Sequence, residues 1–175
     1  MTGFALFETA IGWCGIAWAP RGIVGVQLPE GSAPATRGRL LRRFPGARDA
    51  PPPADVKRAI DDVTVLLHGE PRALDRVALD MEDVPEFNRR VYEVARTIPW
   101  GATLSYGEIA RRLGDPAAAR DVGQALGQNP FPIVVPCHRV LAAGGKWGGF
   151  SARGGVATKR RLLSMEAAQR PLLDD

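Results

Sequence analysis

A thiol and an imidazole stand side by side at Cys137 and His138, within Asn-Pro-Phe-Pro-Ile-Val-Val-Pro-Cys-His-Arg-Val at residues 129–140. A cysteine nucleophile reacts as its thiolate, and a neighbouring imidazole or cation favours that form. Three prolines and a β-branched run disfavour a helix here and predict an extended, stiff segment. Adjacent side chains of an extended chain point to opposite faces, so adjacency alone does not bring His138 to the sulfur. A water or a third group would have to complete the link. An inert buried thiol beside a packed histidine has the same sequence, and the pair alone leaves both readings open.

The rest of the chain bounds the choice. Its 175 residues suffice for one domain or two small ones, and 45% hydrophobic with 24% charged is ordinary for a soluble globular protein. No run approaches the ~20 apolar residues of a membrane span, and the N-terminus lacks the pattern of a leader. A cytoplasmic protein without a membrane partner is expected. Cys14 and Cys137 are the two cysteines, too few for a disulfide framework and suited to a reducing compartment. The net charge of +4 is uneven: residues 1–85 balance at −1 and residues 86–175 at +5. The basic half, which carries the Cys-His pair, suits a phosphate backbone, although charge alone favours nucleic acid only weakly.

Along the first half, Phe4 to Phe7, Trp13 to Trp18 and Ile23 to Leu28 read as antiparallel strands joined by tight turns. A short helix is expected over Arg37 to Phe44, a surface loop over 45–54, and an amphipathic helix from Ala54 to His68 closed by Gly69. His68 suits the last turn of that helix as a solvated residue. Val77 to Leu79 is a further candidate strand. Cys14 lies in a strand pattern and reads as a small core residue, and no ligand set at metal spacing is present.

In the second half, Asp83 as N-cap with Pro85 in the first turn predicts a helix facing inward through Phe87, Val91, Val94 and Ile98. Ser105-Tyr106-Gly107-Glu108 is a capping box, opening a helix with Ile109, Ala110 and Leu113 inward and Gly114 as its stop. Asp115-Pro116 starts another helix running to about Gly127. Two helices joined by a tight glycine turn are the helix-turn-helix pattern, which a packing unit without DNA would share. The second of them holds one arginine, Arg120, amid small residues from Ala117 to Ala125. A reader of base edges would carry several Arg, Asn or Gln, so contact without sequence readout is the expectation.

Pro-Cys-His-Arg-Val at 136–140, preceded by Asn-Pro at 129–130, resembles the active-site signature of the O6-alkylguanine-DNA alkyltransferases, the methylated-DNA–protein-cysteine methyltransferases. Further matches span roughly residues 83–168. Ala119-Arg120-x-Val122-Gly123 is similar to the family's recognition helix, and Thr158 to Glu166 to its last helix, with the pattern Lys-x-x-Leu-Leu-x-x-Glu. The resemblance implies an α/β N-terminal domain over 1–82, ribonuclease-H-like with a small antiparallel sheet. It implies a mainly α domain over 83–175, helix-turn-helix or winged-helix-like, that binds DNA and transfers the alkyl group.

The implied reaction flips O6-alkylguanine out of duplex DNA and moves its alkyl group irreversibly to Cys137. O4-alkylthymine is a further candidate substrate, and no cofactor or zinc is expected. In that scheme Glu166 orients His138, a water links His138 to the sulfur, Tyr106 protonates the leaving base, and Asn129 ties the turn before the nucleophile. The main-chain carbonyls of Cys137 and Val140 accept from the base. Arg120 fills the gap in the duplex, with Ala119, Gly123 and Ser105 also at the DNA. The implied pocket includes Leu126, Pro132, Val140, Gly148, Phe150 and Ser151 beside Tyr106. Two features depart from the family: Phe150 stands where many members have tyrosine, and Asp121 where a small residue is usual. The spacing from Ser151 to Lys159 is two residues longer than in the shortest members.

A monomer is expected, in the cytoplasm at the nucleoid of a bacterium or in a eukaryotic nucleus. The rival readings are a non-catalytic alkylated-DNA recognition protein, a winged-helix regulator and a Cys-His hydrolase. A relative lacking catalysis would lack the cysteine. A regulator would show base readout, and a hydrolase would turn over.

Overall fold

Short apolar runs and tight glycine turns build the first sheet in the computed structural model, which describes residues 1–166. Strands β1 (Gly3–Thr9), β2 (Gly12–Ala19) and β3 (Gly22–Gln27) form an antiparallel meander, with Phe7 opposite Cys14 and Ile16 opposite Val26. Helix α1 (Ala33–Arg43) begins four residues earlier than expected, because Ser32 caps it by accepting from the Ala35 amide at 3.2 Å. Leu40 is its anchor, fully buried against Phe4 and Ala17; such burial contributes about 1.5–3 kcal/mol. Gly25 makes room for the next turn: a Cβ there would stand 2.6 Å from the Phe44 ring.

The expected loop over 45–54 contains β4 (Arg48–Asp49), which pairs parallel with β1. The expected antiparallel sheet is therefore mixed, in the order β3-β2-β1-β4. Two exposed charged residues carry no apolar alternation, so β4 is held by backbone bonds such as Arg48 N–H to the Thr2 carbonyl at 3.0 Å. Helix α2 (Ala54–Leu67) buries Val56, Ala59, Val63, Leu66 and Leu67, and Gly69 follows it at φ +92°. Leu79 makes an isolated parallel bridge to Ile23.

Two compact units divide the chain, one comprising Met1–Asp83 with Pro130–Pro132 and the other Val84–Asn129 with the described residues from Ile133. Residues 130–132 group with the first because the Pro130 carbonyl accepts from the Val26 amide at 2.9 Å and from Arg43 at 3.1 Å. Residues 167–175, the end of the expected second domain, lie outside the described residues.

The second unit is helical. Helix α3 (Glu86–Ala95) starts with Pro85 at the N-cap in place of Asp83, since proline fixes a φ suited to helix entry and needs no amide partner. Two residues, Leu104–Ser105, form β5, which runs directly into α4 (Tyr106–Arg112). Ser105 caps α4 by accepting from the Glu108 amide at 3.1 Å. After the Gly114 turn, Pro116–Ala118 is a 3-10 turn and α5 (Ala119–Gly127) begins only at Ala119, which splits the expected single helix. Tyr92 of α3 is fully buried and donates its hydroxyl to the Ala125 carbonyl of α5 at 2.6 Å. Strand β6 (Val140–Leu141) pairs parallel with β5, and α6 (Val156–Met165) closes the described chain.

Candidate active site

The stretch before the nucleophile is turned, not extended. Ile133 adopts φ +75°, Pro136 sits at φ −79° and ψ +67° with Cys137 N–H bonded to the Val135 carbonyl at 2.7 Å, and Cys137–Arg139 form a 3-10 turn. Proline's fixed φ is as compatible with such a tight turn as with an extended chain. Asn129 donates from Nδ2 to the Val135 carbonyl at 2.9 Å, bracing the turn from its other end. Immediately afterwards β6 pairs with β5 through Leu104 to Val140 and Ser105 to Leu141. This short ladder brings Tyr106, the first residue of α4, into the same site as Cys137.

A cleft of about 550 Å³ opens over the thiol, lined by Cys137, Tyr106, and Arg120, Gly123 and Leu126 of α5, with Phe150 and Ser151 from the loop before α6. Gln124, Gly127 and Gly149 complete the lining. Of the residues expected in the pocket, Pro132, Val140 and Gly148 are not part of this lining. Val140 is buried in β6, and Gly148 lies against Tyr106. Ala119 opens α5, and Ser105 serves as the α4 cap.

Cys137 is 7% exposed. Burial pushes its pKa up, while a hydrogen bond from Asn129, the charge of Lys159 and backbone amides pull it back in part. Cys14 is more fully buried, and burial, opposed only by a contact with Thr9, raises it to about 12. Burial thus raises both thiols, and what separates them is place: Cys137 lines the cleft, whereas Cys14 is fully buried in β2. Tyr106 is also raised by burial, against a backbone hydrogen bond from Gly149, so its phenol holds its proton.

His138 is completely buried, with Nε2 3.0 Å from Glu166 Oε2. Burial lowers the pKa of His138 against the opposing pull of Glu166. Burial pushes Glu166 up, but hydrogen bonds from His138 and Arg139 outweigh it and hold the carboxyl at about 2. An ionised carboxylate only accepts, so a neutral His138 carries its proton on Nε2 and leaves Nδ1 as a base. Nδ1 has no hydrogen-bond partner among the described residues.

Two charged residues were not expected in the site. Arg139 spans Glu166 with Nε at 2.7 Å and Nη2 at 2.8 Å. Lys159 is fully buried, donates to the Val140 carbonyl at 2.5 Å, and lies 5.8 Å from the centre of the Tyr106 ring. Burial lowers the Lys159 pKa to about 8, against the pull of Cys137. The Val140 carbonyl, expected to meet the base, therefore already accepts from one cation. A signal was present: Lys159, Leu162, Leu163 and Glu166 recur at three, four and seven residues, which puts both charges on the buried face of α6.

A cleft carrying a thiol, a phenol and an arginine-bearing helix, backed by a buried His-Glu pair, is the equipment of a DNA-directed alkyl acceptor. The chain belongs to the methylated-DNA–protein-cysteine methyltransferase family. The family profile "6-O-methylguanine DNA methyltransferase, DNA binding domain" matches residues 86–168. The methylated-DNA–protein-cysteine methyltransferase of Methanothermobacter thermautotrophicus is 37% identical over 152 residues, covering 87% of this chain and 78% of that protein. That of Mycobacterium tuberculosis is 45% identical over 121 residues, covering 69% and 71%. The crystal structure of Mycobacterium tuberculosis OGT in complex with DNA superposes with a TM-score of 0.77 at 33% identity, covering 98% of this chain and 99% of the other.

Proposed function

We propose that this protein repairs DNA by direct reversal, moving the alkyl group of O6-alkylguanine in duplex DNA onto Cys137 in a single, irreversible turnover. The observation that carries the reading is the cleft itself: Cys137 and Tyr106 share one 550 Å³ space with Arg120. Guanine O6 is buried in a stacked pair, so the nucleotide must leave the helix before sulfur can reach the alkyl carbon. Small residues on α5 allow close approach to the groove, and Arg120 occupies the gap.

Within the cleft, His138 Nδ1 takes the thiol proton through a bridging water, and Glu166 holds the imidazole by Nε2–H. Sulfur attacks the alkyl carbon, the carbon–O6 bond breaks, and its electron pair leaves with guanine. Tyr106 gives that base a proton, so neutral guanine and a thioether remain, and the phenolate recovers a proton from solvent as the His138 imidazolium gives one up. A thioether sulfur is a poor leaving group, and Cys14 is inert, so the protein acts once. Unit 1 fits a ribonuclease-H-like domain, supported by its order β3-β2-β1-β4 with β4 parallel to β1. The turn at Gly114 between α4 and α5 supports a helix-turn-helix reading of unit 2. Among the described residues no helix is long and apolar enough to cross a membrane, and we place the protein with DNA, in the cytoplasm or nucleus.

The test is incubation with a labelled O6-methylguanine duplex followed by peptide mass spectrometry. One CH2 added per molecule on the Cys137 peptide, absent in Cys137→Ala, supports the reading. Turnover without protein labelling, or binding without transfer, would overturn it.

A further inference from the structure

The Glu166 carboxylate that holds His138 is not an isolated partner. Its Oε1 accepts from Arg139 Nε at 2.7 Å, and its Oε2 accepts from both Arg139 Nη2 at 2.8 Å and His138 Nε2 at 3.0 Å. The third arm of the guanidinium, Nη1, donates to the Ile98 carbonyl just beyond α3 at 2.8 Å. Arg139 is 6% exposed and Glu166 1%. One planar fork thus joins the nucleophile turn, the end of α6 and the end of α3, and its charge matches that of the carboxylate.

We propose that Arg139 is a positioning residue, which aims Glu166 Oε2 at His138 and, by neutralising the carboxylate, keeps His138 an unprotonated base at rest. An unmatched buried carboxylate would draw a proton onto the imidazole and abolish its base function. The charged groups acting on His138 are Glu166 and Lys159 from α6, with Arg139 from its own turn. Arg139 and Lys159 both oppose protonation, and only Arg139 is bonded to the carboxylate. Guanidinium geometry serves the aim and guanidinium charge serves the protonation state, so the two can be separated by substitution.

This inference rests on His138 acting as the base for Cys137, and its experiment reads His138 directly. With two histidines in the chain, imidazole nitrogen resonances of the full-length protein resolve the exposed His68 from His138 across a pH titration. In Arg139→Met the His138–Glu166 pair takes up its proton about one pH unit higher than in the parent. In Arg139→Lys charge is kept, so the midpoint stays close to the parent's while transfer from an O6-methylguanine duplex slows about tenfold or more. An unchanged midpoint in Arg139→Met would overturn the electrostatic role. Should Arg139→Met not fold, Arg139→Lys decides: transfer at the parental rate, or a midpoint shifted as far as the rate falls, overturns the proposal. Loss of labelling in the parent protein would instead count against Cys137 as acceptor and leave the His138 titration standing.

Discussion

Glu166 combines near-complete burial with a pKa of about 2, against an ordinary value of 4.5. A carboxyl depressed on folding stabilises the protein fully above its unfolded pKa, and that contribution is lost as pH falls through the folded value. Stability measured by denaturant unfolding is therefore expected to drop by on the order of 3 kcal/mol between pH 4.5 and 2. Glu166→Gln should be less stable at neutral pH and show a flatter slope across that window. An equal slope in both proteins would contradict the assignment. Gly148 is the second sensitive residue. At φ +66° it lies in the left-handed region, and a Cβ would overlap the Tyr106 hydroxyl and stand 3.1 Å from its ring carbons. Gly148→Ala is expected to lose about 1 kcal/mol of stability. Because the phenol is displaced, transfer should slow about ten- to a hundredfold in a quenched single-turnover assay.

Among the elements, α5 is the one expected to separate DNA handling from chemistry. Arg120 is exposed on its first turn and lines the cleft without belonging to the His-Glu relay. Arg120→Ala is expected to slow transfer from duplex DNA far more than reaction with free O6-benzylguanine, since only the duplex requires flipping. Equal losses with both substrates would make Arg120 a structural residue. Helices α2 and α3 were legible from periodicity, α2 almost to the residue, because each buries one stripe, whereas α6 entered only through the resemblance. Strand β4 was not, since two exposed residues held by backbone bonds leave no pattern. The turn before Cys137 was misread for a related reason: proline narrows φ but leaves ψ to tertiary contacts, here Asn129 and the β5–β6 ladder. Cys137, Tyr106 and Arg120, which come together in one cleft, and Glu166, which meets His138, were singled out through their resemblance to a known signature. Arg139 and Lys159 were missed because charged side chains read as surface unless the apolar face they share is counted with them.

For the molecule as a whole, the uneven charge sets how it meets its substrate. With a balance of +5 over residues 86–175, affinity for an undamaged duplex should fall as salt rises, with a log–log slope of about −2 to −5. Fluorescence anisotropy on a labelled oligonucleotide checks this, and salt-independent binding would contradict an electrostatic footprint. The contrast between the two thiols has a further use. Cys14 is fully buried with a pKa of about 12, so in the folded state it stays silent toward electrophiles at neutral pH. The mass of the intact chain then takes one of two values, before or after a single event at Cys137. A population of these molecules is in effect a dosimeter, whose modified fraction records how much alkylated base it has met.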